Sequence, residues 1–293
     1  MSALGGTAAV AAGESGAMRE RAAERPARAR APALERLAWR LVAAGVLAFL
    51  YVPVAVLVAY SFNDSRSLSW PMSGFTLDWY RALAANSQLH KALGNSLYVA
   101  SASTALTLLI GVPAALALQR LEFPGKALFR KLVLLPIALP GIITGISMLS
   151  FFRLAGVNLT LETVIVGHAT ALLAIVVTQV YARLERLPPG LEEASGDLGA
   201  NPLQTFFLVT LPNIRTAILG AGLLSFTLSF DEIPVTFFLT GRDNTLPMYI
   251  WSTMRRGLTP EINAVGTLIV LVSAVLIVAS VLLVRDAPGA ARR

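Results

Sequence analysis

Five long stretches of the chain run without a charged residue: Leu41 to Phe62, Ala92 to Gln119, Leu132 to Phe152, Thr163 to Ala182 and Ile262 to Val284. Each is long enough to cross a hydrocarbon core of about 30 Å as an α-helix. A sixth stretch, Thr216 to Gly241, is interrupted only by Asp231 and Glu232, and its length and apolar flanks also predict a span. The pattern therefore predicts an all-α, polytopic membrane protein with six transmembrane helices and both termini on one side. The segment ahead of Leu34 offers almost nothing to bury, which predicts a disordered tail over 1–38. The transmembrane domain is expected over 39–285, with a helical loop at 188–213, followed by a short tail over 286–293.

Composition agrees with this class: 55% of residues are hydrophobic and 14% charged, a balance that suits a membrane protein and not a soluble core. Charge distribution then orients it. If both termini are cytoplasmic, the cytoplasmic segments hold 17 of the 24 Lys and Arg residues and the opposite side holds 7. The positive-inside rule favours that arrangement. The net charge of +7 is thus a topology signal and calls for no nucleic acid partner. The chain has no cysteine, which excludes disulfides, thiolate catalysis and cysteine metal sites. His90 and His168 are the only histidines, too few for zinc or Ser-His-Asp chemistry, so no metal or cofactor is expected.

The loop between the fourth and fifth apolar runs is unlike its surroundings. Pro188, Pro189 and Gly190 end the preceding helix, and Leu191 to Leu198 can form a short helix stopped by Gly199 in a left-handed cap. Asn201 as N-cap, Pro202 at the first helical position and Gln204 three residues after the cap open a second helix. The expectation is a helix-turn-helix. Leu191, Ala194 and Leu198 share one face of the first helix, and Leu203, Phe206, Phe207 and Thr210 one face of the second. Helices that lie on a bilayer are normally rich in Lys and Arg, yet residues 187–214 contain neither, against Glu192, Glu193 and Asp197. Docking onto a partner protein is the better reading.

In register and residue type the segment resembles the EAA loop of the permease subunits of bacterial ABC importers. Glu193, Ala194 and Ser195, then Gly199, then Val209, Leu211 and Pro212 keep every spacing of that motif, with Ser195 in place of its second alanine. The resemblance implies a MetI-like transmembrane domain whose loop is the coupling helix seated in a cytoplasmic ATPase. From Leu41 to Val284 the chain is also similar to the polyamine (spermidine/putrescine) branch of these permeases, of PotC and YdcV type, on "FTLDWYRAL", "NSLYVASAST", "LPGIITGISML" and "SFTLSFDEIPVTFF". That branch implies a multi-pass protein of the bacterial inner membrane, bound to an ABC ATPase dimer, a second PotB-like permease and a periplasmic substrate-binding protein. The chain contains no G-x-x-x-x-G-K-[ST] phosphate loop, so it is expected to be catalytically silent, with ATP hydrolysed by the partner.

Asp231 and Glu232 are the only acids within an apolar run. Counted from Ile214, Asp231 stands roughly 25 Å along a helix, towards the outer half of the membrane. Each acid at depth costs about 2.5 to 3.5 kcal/mol and usually faces a cavity or a partner. Gly222, Ser225, Ser229, Glu232 and Thr236 repeat at three and four residues and would share one helix face. Two readings stand side by side: a path lined for a cationic substrate, or acids paired with a neighbouring helix. Pro234 predicts a kink. Pro136, Pro140, Thr144 and Ser147 predict a broken or kinked third helix. Ser96, Ala100, Ser103, Thr107 and Gly111 form a small-residue packing seam, and His168 reads as a satisfied packing group. Trp70, Phe75, Trp79, Tyr80, Tyr249 and Trp251 are interfacial aromatics or a platform for a binding protein. Alternatives to polyamine are another small organic cation or an amino acid; a rival class, an ion-coupled secondary transporter, leaves the acidic loop unexplained.

Overall fold

The computed structural model describes residues 33–65, 71–188, 190–257 and 259–285. All regular elements among them are helices, apart from one antiparallel bridge between Asn63 and Phe75. The sequence-predicted tails over 1–32 and 286–293 lie outside the described residues, while residues 33–38, assigned to the tail from sequence, already belong to the first helix.

In chain order the helices are Ala33–Tyr60 (α1), Asp78–Ala85 (α2), Ser87–Arg120 (α3), Lys126–Ala138 (α4), Gly141–Leu154 (α5), Leu161–Leu184 (α6), Gly190–Asp197 (α7), Pro202–Thr205 (α8), Leu211–Phe230 (α9), Pro234–Leu239 (α10), Leu246–Met254 (α11) and Pro260–Arg285 (α12). Four stretches, Leu37–Tyr60, Ser87–Arg120, Leu161–Leu184 and Pro202–Phe230, are long and apolar enough to cross a membrane, and α4 with α5 adds a fifth if that bent pair is one span. The chain divides into two units at Leu57 and Val58. The first carries most of α1, whose helix continues through Pro53; the second carries everything from Val58 onward.

In the second unit α6 is the central pillar, packed by α3, α4, α5, α9 and α10. Its sequence is apolar on all sides, as a helix buried by neighbours must be. Val164, Ala174, Val176 and Val180 are wholly buried. The predicted seam on α3 is a packing seam: Ser96, Ala100, Ser103, Thr107 and Gly111 are all buried. At Gly111 an added Cβ would sit 2.7 Å from Val176 Cγ1, so glycine is what lets α3 and α6 approach.

Two apolar runs are not single helices. Leu132 to Phe152 is split at Leu139–Pro140, and α4 and α5 meet at 111°. The cause is local: proline drives the residue before it into extended backbone, and Leu139 sits at φ −90°, ψ 133°. Thr216 to Gly241 is split at Asp231–Ile233. Pro234 has no N–H with which to continue the hydrogen-bond ladder, so α9 ends at Phe230 and α10 restarts with Pro234 in its first turn. The expected kink is thus a full break, placed before Pro234.

Candidate functional site

The loop at 188–213 differs from a simple helix-turn-helix at its second half. α7 is stopped at Gly199, which adopts φ +86°, the left-handed conformation predicted for it. Asn201 caps α8: its Oδ1 accepts from Gln204 N–H at 2.9 Å and Gln204 Oε1 accepts from Asn201 N–H at 2.8 Å. α8 then does not stop. A π-helical turn, Phe206–Thr210, leads straight into α9, so the second loop helix and the fifth span form one continuous rod from Pro202 to Phe230. Pro212 is accommodated in the first turn of α9, where its missing N–H costs nothing.

Each motif position has a place in this arrangement. Glu193, Ala194 and Gly199 are exposed, Val209 and Leu211 half-buried, and Pro212 exposed. Ser195 hydrogen-bonds Thr205 Oγ1 at 3.0 Å and so ties α7 to α8, a contact alanine cannot make. The apolar faces remain largely uncovered: Leu198, Leu203, Phe207 and Leu208 are 89%, 70%, 58% and 74% exposed, while Thr210 turns inward and is buried.

Sequence reading missed how the loop is anchored. Arg120, at the end of α3, donates through Nη2 to Glu192 Oε1 and to Thr210 Oγ1, the latter at 2.8 Å. The Thr210 hydroxyl donates to the same Glu192 oxygen at 2.7 Å. One guanidinium therefore joins the second span, α7 and the π-turn. Arg183 Nε adds a bond to Asn213 O at 3.0 Å from the end of α6. The sequence signal was weak: a lone Arg at a helix end, far along the chain from both of its partners.

The second cluster lies at the α9–α10 break. Glu232 Oε1 accepts from Val235 N–H at 2.8 Å, covering a backbone donor that the restarted helix leaves free. Asp231 is exposed and Glu232 half-buried. Opposite them stands the other break: a Cβ on Gly141 would lie 3.2 Å from Pro234 Cβ and 3.5 Å from Glu232 Oε1. The two interrupted spans thus bring their breaks together, with Glu232 at the junction and the exposed Asp231 next to it in the chain.

The serines and threonine of the predicted stripe take positions behind the acids. Ser225, Ser229 and Thr236 are all buried. Ser225 Oγ has no hydrogen-bond partner among the described residues. Ser229 Oγ is 2.7 Å from His168 Nδ1 and 2.8 Å from Ser103 Oγ; Thr236 Oγ1 is 2.8 Å from His168 Nε2. His168 is a satisfied group, as expected, but both its partners come from the broken span.

At the far end, Trp79 and Tyr80 join Leu83, Leu89, Leu246, Ala264 and Val265 in one cluster, and Trp79 Nε1 donates to Asn63 O at 2.7 Å. These two aromatics lie in the first turn of α2 and have a structural role there. Phe75 and Trp251 remain exposed, with Arg255 and Arg256 nearby in sequence and also exposed; Trp70 lies outside the described residues.

Residues 107–286 match a family model described as a binding-protein-dependent transport system inner membrane component. The spermidine/putrescine transport system permease protein PotC of Escherichia coli (strain K12) is 37% identical over 243 residues, covering 82% of this chain and 91% of that protein. The putrescine transport system permease protein PotI of the same strain is 37% identical over 244 residues, covering 80% and 86%. The fold is similar to a chain of a bacterial ABC transporter involved in the import of the acidic polysaccharide alginate, at a TM-score of 0.68 and 16% identity, covering 89% of this chain and 99% of that one. A chain of the MetNI methionine ABC transporter in an inward-facing conformation gives a TM-score of 0.56 at 20% identity, covering 66% and 92%.

Proposed function

This chain belongs to the inner membrane components of binding-protein-dependent transport systems, and from that premise we propose that it is the non-catalytic permease subunit of a bacterial ABC importer for a polyamine such as spermidine or putrescine. It sits in the inner (cytoplasmic) membrane with six spans, α12 being the last, and with both termini cytoplasmic. Its partners are an ABC ATPase dimer, a second PotB-like permease and a periplasmic substrate-binding protein.

The observation that carries this reading is the loop of Glu193, Ala194, Ser195, Gly199, Val209, Leu211 and Pro212. Its apolar side chains are uncovered at the tip while its base is pinned to α3 and α6. Such a unit transmits force: closure of an ATPase on Leu198, Leu203 and Phe207 pushes a rod that is continuous with α9, whose other end is the break bearing the acids. The residues of the substrate path are then Asp231 and Glu232, with the buried Ser225, Ser229 and Thr236 as the polar layer behind them. Two carboxylates at a junction of opened helices suit a substrate carrying separated ammonium groups, because unpaired charge at membrane depth is otherwise costly.

The test is uptake of labelled putrescine by the assembled transporter with Asp231→Asn and Glu232→Gln together. Uptake is expected to fall by about a hundredfold, on the scale of two lost charged contacts of roughly 1.5 kcal/mol each, and stimulation of ATP hydrolysis by the loaded binding protein is expected to vanish with it. Survival of both in the double variant would remove the acids from the path.

The Arg120 anchor predicts a smaller effect. Arg120 and Glu192 are part-exposed, with side chains 30% and 36% accessible, so their ion pair is worth at most about 1 kcal/mol. Arg120→Ala is expected to leave assembly unchanged and to lower uptake per ATP hydrolysed by about threefold to fivefold. An unchanged ratio of transport to hydrolysis would show that α3 takes no part in coupling.

A further inference from the structure

The imidazole of His168 lies in the interior, 1% exposed, about a third of the way along α6, and the path just described makes no use of it. Its two ring nitrogens are both occupied, and by residues on opposite sides of the same helix break. Nδ1 meets Ser229 Oγ, in the last turn of α9; Nε2 meets Thr236 Oγ1, in the first turn of α10. The hydroxyl of Thr236 donates in turn to Glu232 O at 2.9 Å, so the Thr236 oxygen must accept from Nε2–H. Nδ1 then accepts from the Ser229 hydroxyl, and the Ser229 oxygen accepts from Ser103 on α3. In this tautomer a chain of donors and acceptors runs from Ser103, whose hydroxyl also lies 3.3 Å from Ala100 O, through Ser229, His168 and Thr236 to the carbonyl of Glu232.

This arrangement answers a mechanical problem. Across Asp231–Ile233 the helix ladder is interrupted, so the backbone alone does not fix α10 relative to α9. An α-helix that is not broken, α6, supplies the missing connection, and it does so with a side chain that offers a donor at one end and an acceptor at the other, spaced to reach both halves. Serine, threonine or asparagine is too short for that span, and a charged side chain there would need a counter-ion that no described residue around the ring provides: Ser103, Ser229 and Thr236 are all neutral.

We infer that His168 is a positioning residue that staples the two halves of the broken fifth span and thereby fixes the backbone that presents Asp231 and Glu232 to the substrate. The inference deepens the proposed polyamine path and rests on it for its functional meaning; the staple itself is tested without any substrate.

Because the chain has no cysteine, a single Ile233→Cys reports on the break. Modification of that thiol by a small membrane-permeant maleimide is measured in the assembled complex, with Val157→Cys, at the exposed turn between α5 and α6, as a reference site. His168→Leu is expected to raise the modification rate at Ile233→Cys by about tenfold, the scale of losing a buried hydrogen-bonded pair, while the rate at Val157→Cys stays put. His168→Gln, which retains one donor and one acceptor, is expected to restore most of the protection. A rate at Ile233→Cys unchanged by His168→Leu, or raised equally by His168→Gln, overturns the staple. If His168→Leu fails to assemble, Thr236→Val is read instead: it keeps the shape and cuts one arm, and a rise of about threefold supports the proposal, whereas no rise overturns it. Should the thiol respond while Asp231→Asn with Glu232→Gln leaves putrescine uptake intact, the staple stands and the path reading fails.

Discussion

Gly145→Leu is expected to abolish uptake and to reduce the amount of assembled complex. Gly145 on α5 faces α10, and a Cβ there would lie 2.7 Å from Phe238 Cδ2, 3.2 Å from Pro234 O and 3.3 Å from Val235 Cα. A half-buried ring can swing aside, but a carbonyl and a Cα belong to the backbone of the restarted helix and can only move with it. From the other side, Gly167 on α6 receives Leu239 and Val235, the latter with Cγ1 2.9 Å from a built Cβ. α10 is thus clamped between two glycines. Overpacking a tight contact costs about 1 to 3 kcal/mol, and since about 1.4 kcal/mol is a factor of ten, a large side chain at 145 is expected to depopulate the native α5–α10 contact by tenfold or more. Measured complex yield and putrescine uptake should fall together, while Gly94→Leu on α3, whose Cβ position is open, leaves both near normal. Normal uptake by Gly145→Leu would show that α5 and α10 are not held at this distance in the working transporter.

The second large effect is expected at Gly199, and for a different reason. No atom lies within 4 Å of its Cβ position, so size is not the obstacle. Its φ of +86° is: a β-branched residue there is strained by about 1 to 2 kcal/mol, and relief requires α7 to leave its angle to α8. Gly199→Val should therefore leave the membrane helices assembled but uncouple them, with ATP hydrolysis persisting and uptake lowered by about tenfold. Gly196 provides the comparison. It is equally open but helical, so Gly196→Ala is expected to be harmless, helped by about 1 kcal/mol of helix propensity. Equal uptake in Gly199→Val and Gly196→Ala would mean that the angle between the two loop helices does not matter to transport.

The two effects bracket one mechanical route. At one end Gly199 sets the attitude of α7; in the middle the rod from Pro202 to Phe230 is continuous; at the other end α10 is clamped by Gly145 and Gly167 and tied to α6 through His168. The π-turn at Phe206–Thr210 is the one irregular point within the rod, and it is also where Thr210 meets Arg120 and Glu192.

Much of this was legible in the chain itself, wherever the cause is local. Long uninterrupted apolar runs announce spans because each must satisfy its own backbone within the segment. The caps at Asn201 and Gln204 and the left-handed turn at Gly199 follow from residue type over a few neighbouring positions, and both appear in the structure as predicted. Proline announced trouble in the third and fifth runs, since it removes a donor wherever it falls. What proline could not announce was whether the helix bends or stops. Glu232 caps α10 from three residues away, but the contact that ties the two sides of the Asp231–Ile233 break together is tertiary: His168, 61 and 68 residues away from Ser229 and Thr236, bonds to both. The same holds for Arg120, whose partners Glu192 and Thr210 lie 72 and 90 residues on. Composition and periodicity determine which segments enter the membrane and how the loop is capped; only the packed structure decides which distant polar groups meet, because in a low-dielectric interior each buried donor takes whichever acceptor the fold brings within reach.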